Sequence, residues 1–427
     1  MADRIIISFD DEIIPEENNE KAVPENADVN VNTNSPAAEN DTIILTPELS
    51  EEIRLSEINF SYCANPSLSG FTDTKLKYPE GTESGFNKNY SLELEDEFFS
   101  SILINNLFII LTSRTSRAYF IDRFNQESKI IINFDGNNFE KTGCIIKNDI
   151  YLNSLTGIYL LISGIKPDKE DIKKIYTPPE GNYIWSNLNI FRENILFLIY
   201  DGVEKANLIL IDRFSGNKIF EFSFSTFKYL SGSILVASDK FFVFADNFIL
   251  IFEKTGNEET KVLQFDLSFG INPETRFIAL KNKLYINDSA GNVFYFDLIN
   301  KEPVLHNSGI KIPYLNSLMG FGNVIFSGHL GGWKACDTNG MEVFSHTDID
   351  ENKIEALNSN ILIVSKSSKI VFHNLNRFQE AESFAISGIK SENSGIISAL
   401  LNFNEIFILT EGGILESYSN KRLNINI

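Results

Sequence analysis

Four short runs constrain this chain more than anything else in it. LFIIL at 107–111, ILFLIY at 195–200, FFVF at 241–244 and FILIF at 248–252 are apolar at every position. A strand wetted on one face alternates apolar and polar residues, and an amphipathic helix repeats every 3.6. These runs do neither, and turn residues bound them, so they read as strands covered on both faces. The composition agrees: 36 Phe against 2 Trp and 3 Met, with abundant Ile and Leu, favours strands.

The stretch 207–223, NLILIDRFSGNKIFEFS, shows how such a run is used. Leu208, Ile209, Leu210 and Ile211 lead into the polar turn 212–217. Ile219, Phe220 and Phe222 then alternate with Lys218, Glu221 and Ser223, which makes a hairpin around Gly216. The chain rewrites this hairpin. Units begin near residues 98, 142, 187, 232, 276, 317, 353 and 396, and equivalent strands recur at roughly 36–51 residues, the interval of a four-stranded blade. Ser215-Gly216-Asn217, Thr255-Gly256-Asn257, Asn339-Gly340 and Gly412-Gly413 supply turns that tolerate positive φ.

An open sandwich would leave a polar face on many of these strands, whereas radially stacked blades bury both faces of their inner strands. The expected fold is therefore an all-β β-propeller over residues 97–427, of eight four-stranded blades. Seven is the alternative, with 90–94 completing the last blade. The 44 residues before it, 53–96, read as a transitional segment that could supply a ring-closing strand. Residues 1–52 read as a disordered acidic arm, with 14 Asp and Glu against 2 Lys and Arg. The arm thus carries −12 of the chain's net −21.

That charge argues against nucleic acid and anionic membrane surfaces as partners, since both need a basic footprint. The start, MADRIIISFDDE, lacks the basic region and long apolar stretch of a signal peptide, and no apolar run approaches the ~18 residues that span a bilayer. Cys63, Cys144 and Cys336 are odd in number and far apart, which reads as reduced, buried thiols. A cytoplasmic location follows as the expectation.

The hairpin IDRFSGNKIFEF resembles the repeat of quinoprotein-like propellers, where an apolar strand runs into Asp, a Thr/Ser-Gly turn and a basic or polar residue. Residues 247–265 and 292–304 resemble it more loosely. The resemblance reaches over about 98–427 and implies the architecture of the broad superfamily that also contains WD-repeat propellers. Bacterial quinone dehydrogenases of this fold dock their blades with a Trp ending each repeat; here Phe220 and Phe344 stand there, and the two Trp, Trp185 and Trp333, cannot form that ring. Gly328-His329 and Trp333 lie within six residues, which is not WD-repeat spacing. Redox activity and pyrroloquinoline quinone binding are not carried over, and no cofactor or metal is expected.

No catalytic residue is assigned. His306, His329, His346 and His373 lack the sequence spacing of metal-ligand pairs. No serine-hydrolase elbow, phosphate-binding loop or calcium loop occurs. His329, Trp333, Cys336 and Asp337 form the densest polar cluster in one repeat, and His329 and Trp333 are candidate partner-binding residues. So are the β-branched islands of the arm, Ile5, Ile6, Ile7 and Phe9, and Ile43, Ile44 and Leu45, which suit strand addition to a sheet edge. The charged segment 168–176, inside an insertion over 166–182, reads as a solvated or protruding loop. Together these features point to a non-catalytic protein–protein interaction scaffold, with the arm as a second contact. The alternative is an enzyme or small-ligand-binding propeller with its site at the mouth of the central channel.

Overall fold

The computed structural model describes residues 86–420 apart from 135, 163–166, 238, 256–258, 299–302, 359, 367–368, 376–378, 386–394 and 403–404. It is an all-β propeller whose strands form seven antiparallel sheets, each taken here as one blade. Blades 1 to 5 span 103–133, 144–176, 183–225, 230–266 and 277–311. Blade 6 is a six-stranded sheet over 315–385. Blade 7 joins 396–420 to the strand Phe86–Glu93, which pairs with Ile414–Asn420 as the outermost strand. The end of the ring is thereby laced to its beginning. Lys88 Nζ meets the fully buried Glu416 carboxylate at 2.7 Å across that seam.

Seven is the alternative count stated above, and the reason lies in blade 6. It contains both the sixth and the seventh sequence repeats. The strand Val324–Asp337 doubles back on itself, since Ser327 Oγ donates to the Lys334 carbonyl at 3.2 Å. Gly331 and Gly332, at φ 97° and 138°, make that reversal. No Cβ could replace the hydrogen of Gly332, because it would fall 1.9 Å from the His346 carbonyl oxygen. The next strand, Glu342–Leu357, runs 16 residues without a break. Its first half pairs with 330–336 and its second half with Ile361–Lys366. Where other repeats are separated by a loop, these two share one continuous strand.

Within blade 3 the hairpin of the sequence is realised. Lys205–Ile211 pairs with Lys218–Ser225, setting Leu208 opposite Phe222 and Leu210 opposite Phe220. The Asp212 carboxylate accepts from the Phe214 and Ser215 amides and from Ser215 Oγ, which closes the turn. The doubly apolar runs are buried as expected: 195–199, 241–244 and 249–252 lie in apolar layers shared by neighbouring blades. Eight such layers separate successive repeats among the described residues, and the one between the sixth and seventh repeats lies inside blade 6.

One expectation is corrected. Lys173–Tyr176, read as part of a protruding insertion, is the outer strand of blade 2. Its lysines face solvent while Ile175 is buried toward blade 3, where the Gly216 turn presses on the Ile175 carbonyl. An outer strand with one wetted side carries charge without being a loop.

The inner strands are joined by a polar belt. The Ser101 amide donates to Thr142 Oγ1 at 3.0 Å, the Thr142 amide to Asn187 Oδ1 at 2.8 Å and the Asn187 amide to the Gly232 carbonyl at 3.0 Å. Further round, Arg276 Nε donates to the Asn316 carbonyl at 2.7 Å and the Ile354 amide to Ser317 Oγ at 2.8 Å. Ser398 Oγ receives the Ile102 amide at 3.5 Å. Each link satisfies a backbone group at or near the start of an inner strand. No helix among the described residues is long and apolar enough to cross a membrane.

Candidate functional site

The two sequence candidates inside the described residues, His329 and Trp333, sit at the reversal of blade 6, and they sit differently. Trp333 is fully buried, packed against Phe344 at 5.2 Å between ring centroids and against His373 at 5.0 Å. Its indole N–H donates to His373 Nε2 at 3.2 Å. His329 is half-buried; Nδ1 lies 2.9 Å from the Leu330 carbonyl, and Nε2 has no hydrogen-bond partner. Cys336 is a buried free thiol, raised above its ordinary pKa by burial. The Asp337 carboxylate closes a turn by accepting from the Asn339 and Met341 amides. Ile5, Ile6, Ile7, Phe9, Ile43, Ile44 and Leu45 lie outside the described residues.

The structure also assembles a set of residues the sequence left apart. His373 and His346 meet with ring centroids 5.2 Å apart. His346 Nε2 lies 3.4 Å from Lys366 Nζ, and that ammonium makes a 2.6 Å ion pair with Asp348. Asp348 in turn accepts from the amide of Ile349 at 2.7 Å. A continuous run of contacts therefore leads from the buried indole to the segment 348–351 of the shared strand, on the rim.

The protonation states follow from this packing. Burial, with help from the His346 and Lys366 charges, drives His373 down to about 3, so its ring is neutral at physiological pH. Nε2 accepts from Trp333, which leaves Nδ1 carrying the proton, and Nδ1 has no partner. The hydrogen bond from Lys366 holds the Asp348 carboxyl below its usual range. Buried aromatic, neutral imidazole and a satisfied ion pair fix the shape of the rim above them. Chemically, the set positions the rim.

Elsewhere, His306 stacks on Tyr295 in blade 5 at 5.1 Å. Among the described residues no three His, Cys, Asp or Glu side chains converge to hold a metal. A narrow apolar cleft between blades 4 and 5 is lined by Phe242, Ile251, Leu263, Leu284 and Phe296.

The rim exposes large apolar side chains to solvent. Ile349 is 92% exposed, Tyr314 76% and Leu330 54%, and register brings them together: Leu330 pairs opposite Glu351, and His329 opposite Leu315. Phe227 and Val203 stand out from the same edge of blades 4 and 3. The Asp246 carboxylate organises the Phe227 loop, accepting from the Phe227, Lys228 and Tyr229 amides at 2.8 Å each. Partial burial opposes its ionisation, but these bonds outweigh burial and keep the carboxyl below its ordinary pKa.

This geometry makes the chain a β-propeller by architecture. Solved structures that resemble it include the following three. Quinohemoprotein alcohol dehydrogenase from Comamonas testosteroni has a TM-score of 0.61 at 8% identity, over 87% of this chain and 82% of that one. BamB from Moraxella catarrhalis has a TM-score of 0.55 at 11% identity, over 79% and 98%. Saccharomyces cerevisiae Sqt1 has a TM-score of 0.53 at 10% identity, over 78% and 99%. No protein-family model matches the sequence, and no curated protein does. At such identities the likeness is one of fold.

Proposed function

We propose that this protein is a non-catalytic interaction scaffold: a closed propeller that presents its loop edges to protein partners. The observation that carries the reading is the set of large apolar side chains left in water at those edges, among them Ile349 at 92%, Phe124 at 82% and Tyr314 at 76% exposure. Groups of exposed apolar residues on an otherwise well-buried fold mark contact surfaces. The titratable groups fit the same reading, since His373, Lys366 and Asp348 are engaged in holding the rim and not in facing an open cleft. The acidic arm, with its islands at Ile5–Ile7 and Ile43–Leu45, serves as a second contact.

Affinity purification of the full chain and of a variant lacking residues 1–50, followed by mass spectrometry, tests this. Full-length protein should capture a defined, saturable set of proteins, and the truncated form should hold them more weakly at an unchanged melting temperature. Turnover of a small molecule by purified protein, with no saturable protein partner, would replace the scaffold reading with the ligand-binding one.

A further inference from the structure

The two edges of the propeller are not alike. Strands alternate in direction, so the turns between second and third strands fall on the same edge as the connections from blade to blade. The turns between first and second, and between third and fourth strands, fall on the opposite edge. On the connection edge, the described loop residues together with the strand segment 348–351 hold fourteen Asp and Glu against four Lys and Arg, a net of −10. On the opposite edge the described loop residues hold seven against six. The exposed apolar residues of the connection edge stand among the carboxylates. Val203 lies in the turn Asp201-Gly202-Val203-Glu204, and Ile349 in Asp348-Ile349-Asp350-Glu351.

We infer that the connection edge is the docking face, and that its occupant is a cationic protein segment with interspersed apolar side chains. This rests on the scaffold reading and names the partner's chemistry. Apolar residues supply contact area, while the surrounding carboxylates select Lys and Arg and repel polyanions. The chain's own arm is the wrong occupant, since it carries −12. The strand segment 348–351 is held ready by the Lys366–Asp348 pair, so Ile349 is presented without an ordering step.

The test uses the full-length protein and fluorescein-labelled 16-residue peptides read by anisotropy. One peptide alternates Lys and Leu, one Lys and Ser, and one Glu and Leu. The Lys/Leu peptide should bind, weaken with added salt, and bind at least about fivefold tighter than Lys/Ser; Glu/Leu should not bind. Combining Val203→Ser, Glu204→Lys, Ile349→Ser and Asp350→Lys should weaken Lys/Leu binding tenfold or more. Phe124→Ser, Glu127→Lys, Glu170→Lys and Met341→Ser on the opposite edge should change it less than twofold. Thermal unfolding of each variant confirms that it is folded. Equal losses in both variants, or equal affinity for Lys/Leu and Lys/Ser, would overturn the assignment. If partners purified with the full chain stay bound to the connection-edge variant, the face is wrong while the scaffold reading stands.

Discussion

The chain's two tryptophans mark its two kinds of blade. Trp185, in the regular blade 3, is half-buried; its N–H donates to the Leu230 carbonyl of blade 4 at 3.0 Å, and the Lys141 ammonium lies 5.1 Å from its ring centre. It ties one blade to the next, as repeated residues around the ring do. Trp333, in the fused blade 6, is fully buried and donates to the buried His373 imidazole of the neighbouring repeat in the same blade. Where the repeat is kept, a side chain serves the ring. Where two repeats merge into one sheet, side chains meet that the repeat never brings together, and polar groups become buried beneath an exposed rim.

The largest test of that contrast is removal of each indole. Trp333→Ala should destabilise by about 3–5 kcal/mol in denaturant unfolding, through a large cavity and an orphaned His373 Nε2. Trp185→Ala, at a half-wetted site, should cost about half as much. Equal losses would mean the fused blade is no more tightly built than a regular one. Gly216→Ala strikes the regular hairpin itself: φ is +72° and the new Cβ would lie 1.9 Å from the Ile175 carbonyl oxygen. A loss of about 2 kcal/mol is expected, and an unchanged melting temperature would show that the blade 2–3 contact yields freely.

A smaller effect distinguishes the two regions by acid. His373 is lowered to about 3 in the folded protein against 6.5 when unfolded, so between those values the unfolded chain binds a proton that the folded chain does not. Its stabilising contribution is whole above pH 6.5 and falls as pH drops toward 3. Between pH 6 and 5 the native protein should lose about 1 kcal/mol more than His373→Gln, which keeps an acceptor for the indole. Parallel pH profiles would remove the buried imidazole from the account. Smallest is Asp212→Ala, which opens an exposed turn in blade 3 and should cost about 0.5–1 kcal/mol by thermal unfolding.

The buried strands could be read before any coordinates because ILFLIY and FFVF break the alternation of a half-wetted strand. The hairpin turn was legible in Asp212, Ser215 and Gly216. The polar belt was not. Ser101, Thr142, Asn187 and Ser317 carry no charge and pass for turn residues; their signal was only that a small polar residue precedes each short inner strand. His346 and His373 meet through packing between merged repeats, which sequence spacing does not encode. Ile349 was hidden by its setting, since an isoleucine between Asp348 and Asp350 reads as part of a solvated loop until its side chain is seen to have no cover.

The seam between Phe86–Glu93 and Ile414–Asn420 has a consequence for how the molecule is made. Lys88 and Glu416 are separated by 328 positions, so the contact closing the ring can form only after the strands of every other blade have been made. Bringing such distant segments together costs about 5 kcal/mol of chain entropy, and pairings of this span form slowly. Until then the final blade lacks its outer strand, and Ile414–Asn420 offers a bare edge to any extended chain nearby. The nascent protein thus passes through a stage in which its most vulnerable surface is the one that the finished ring conceals.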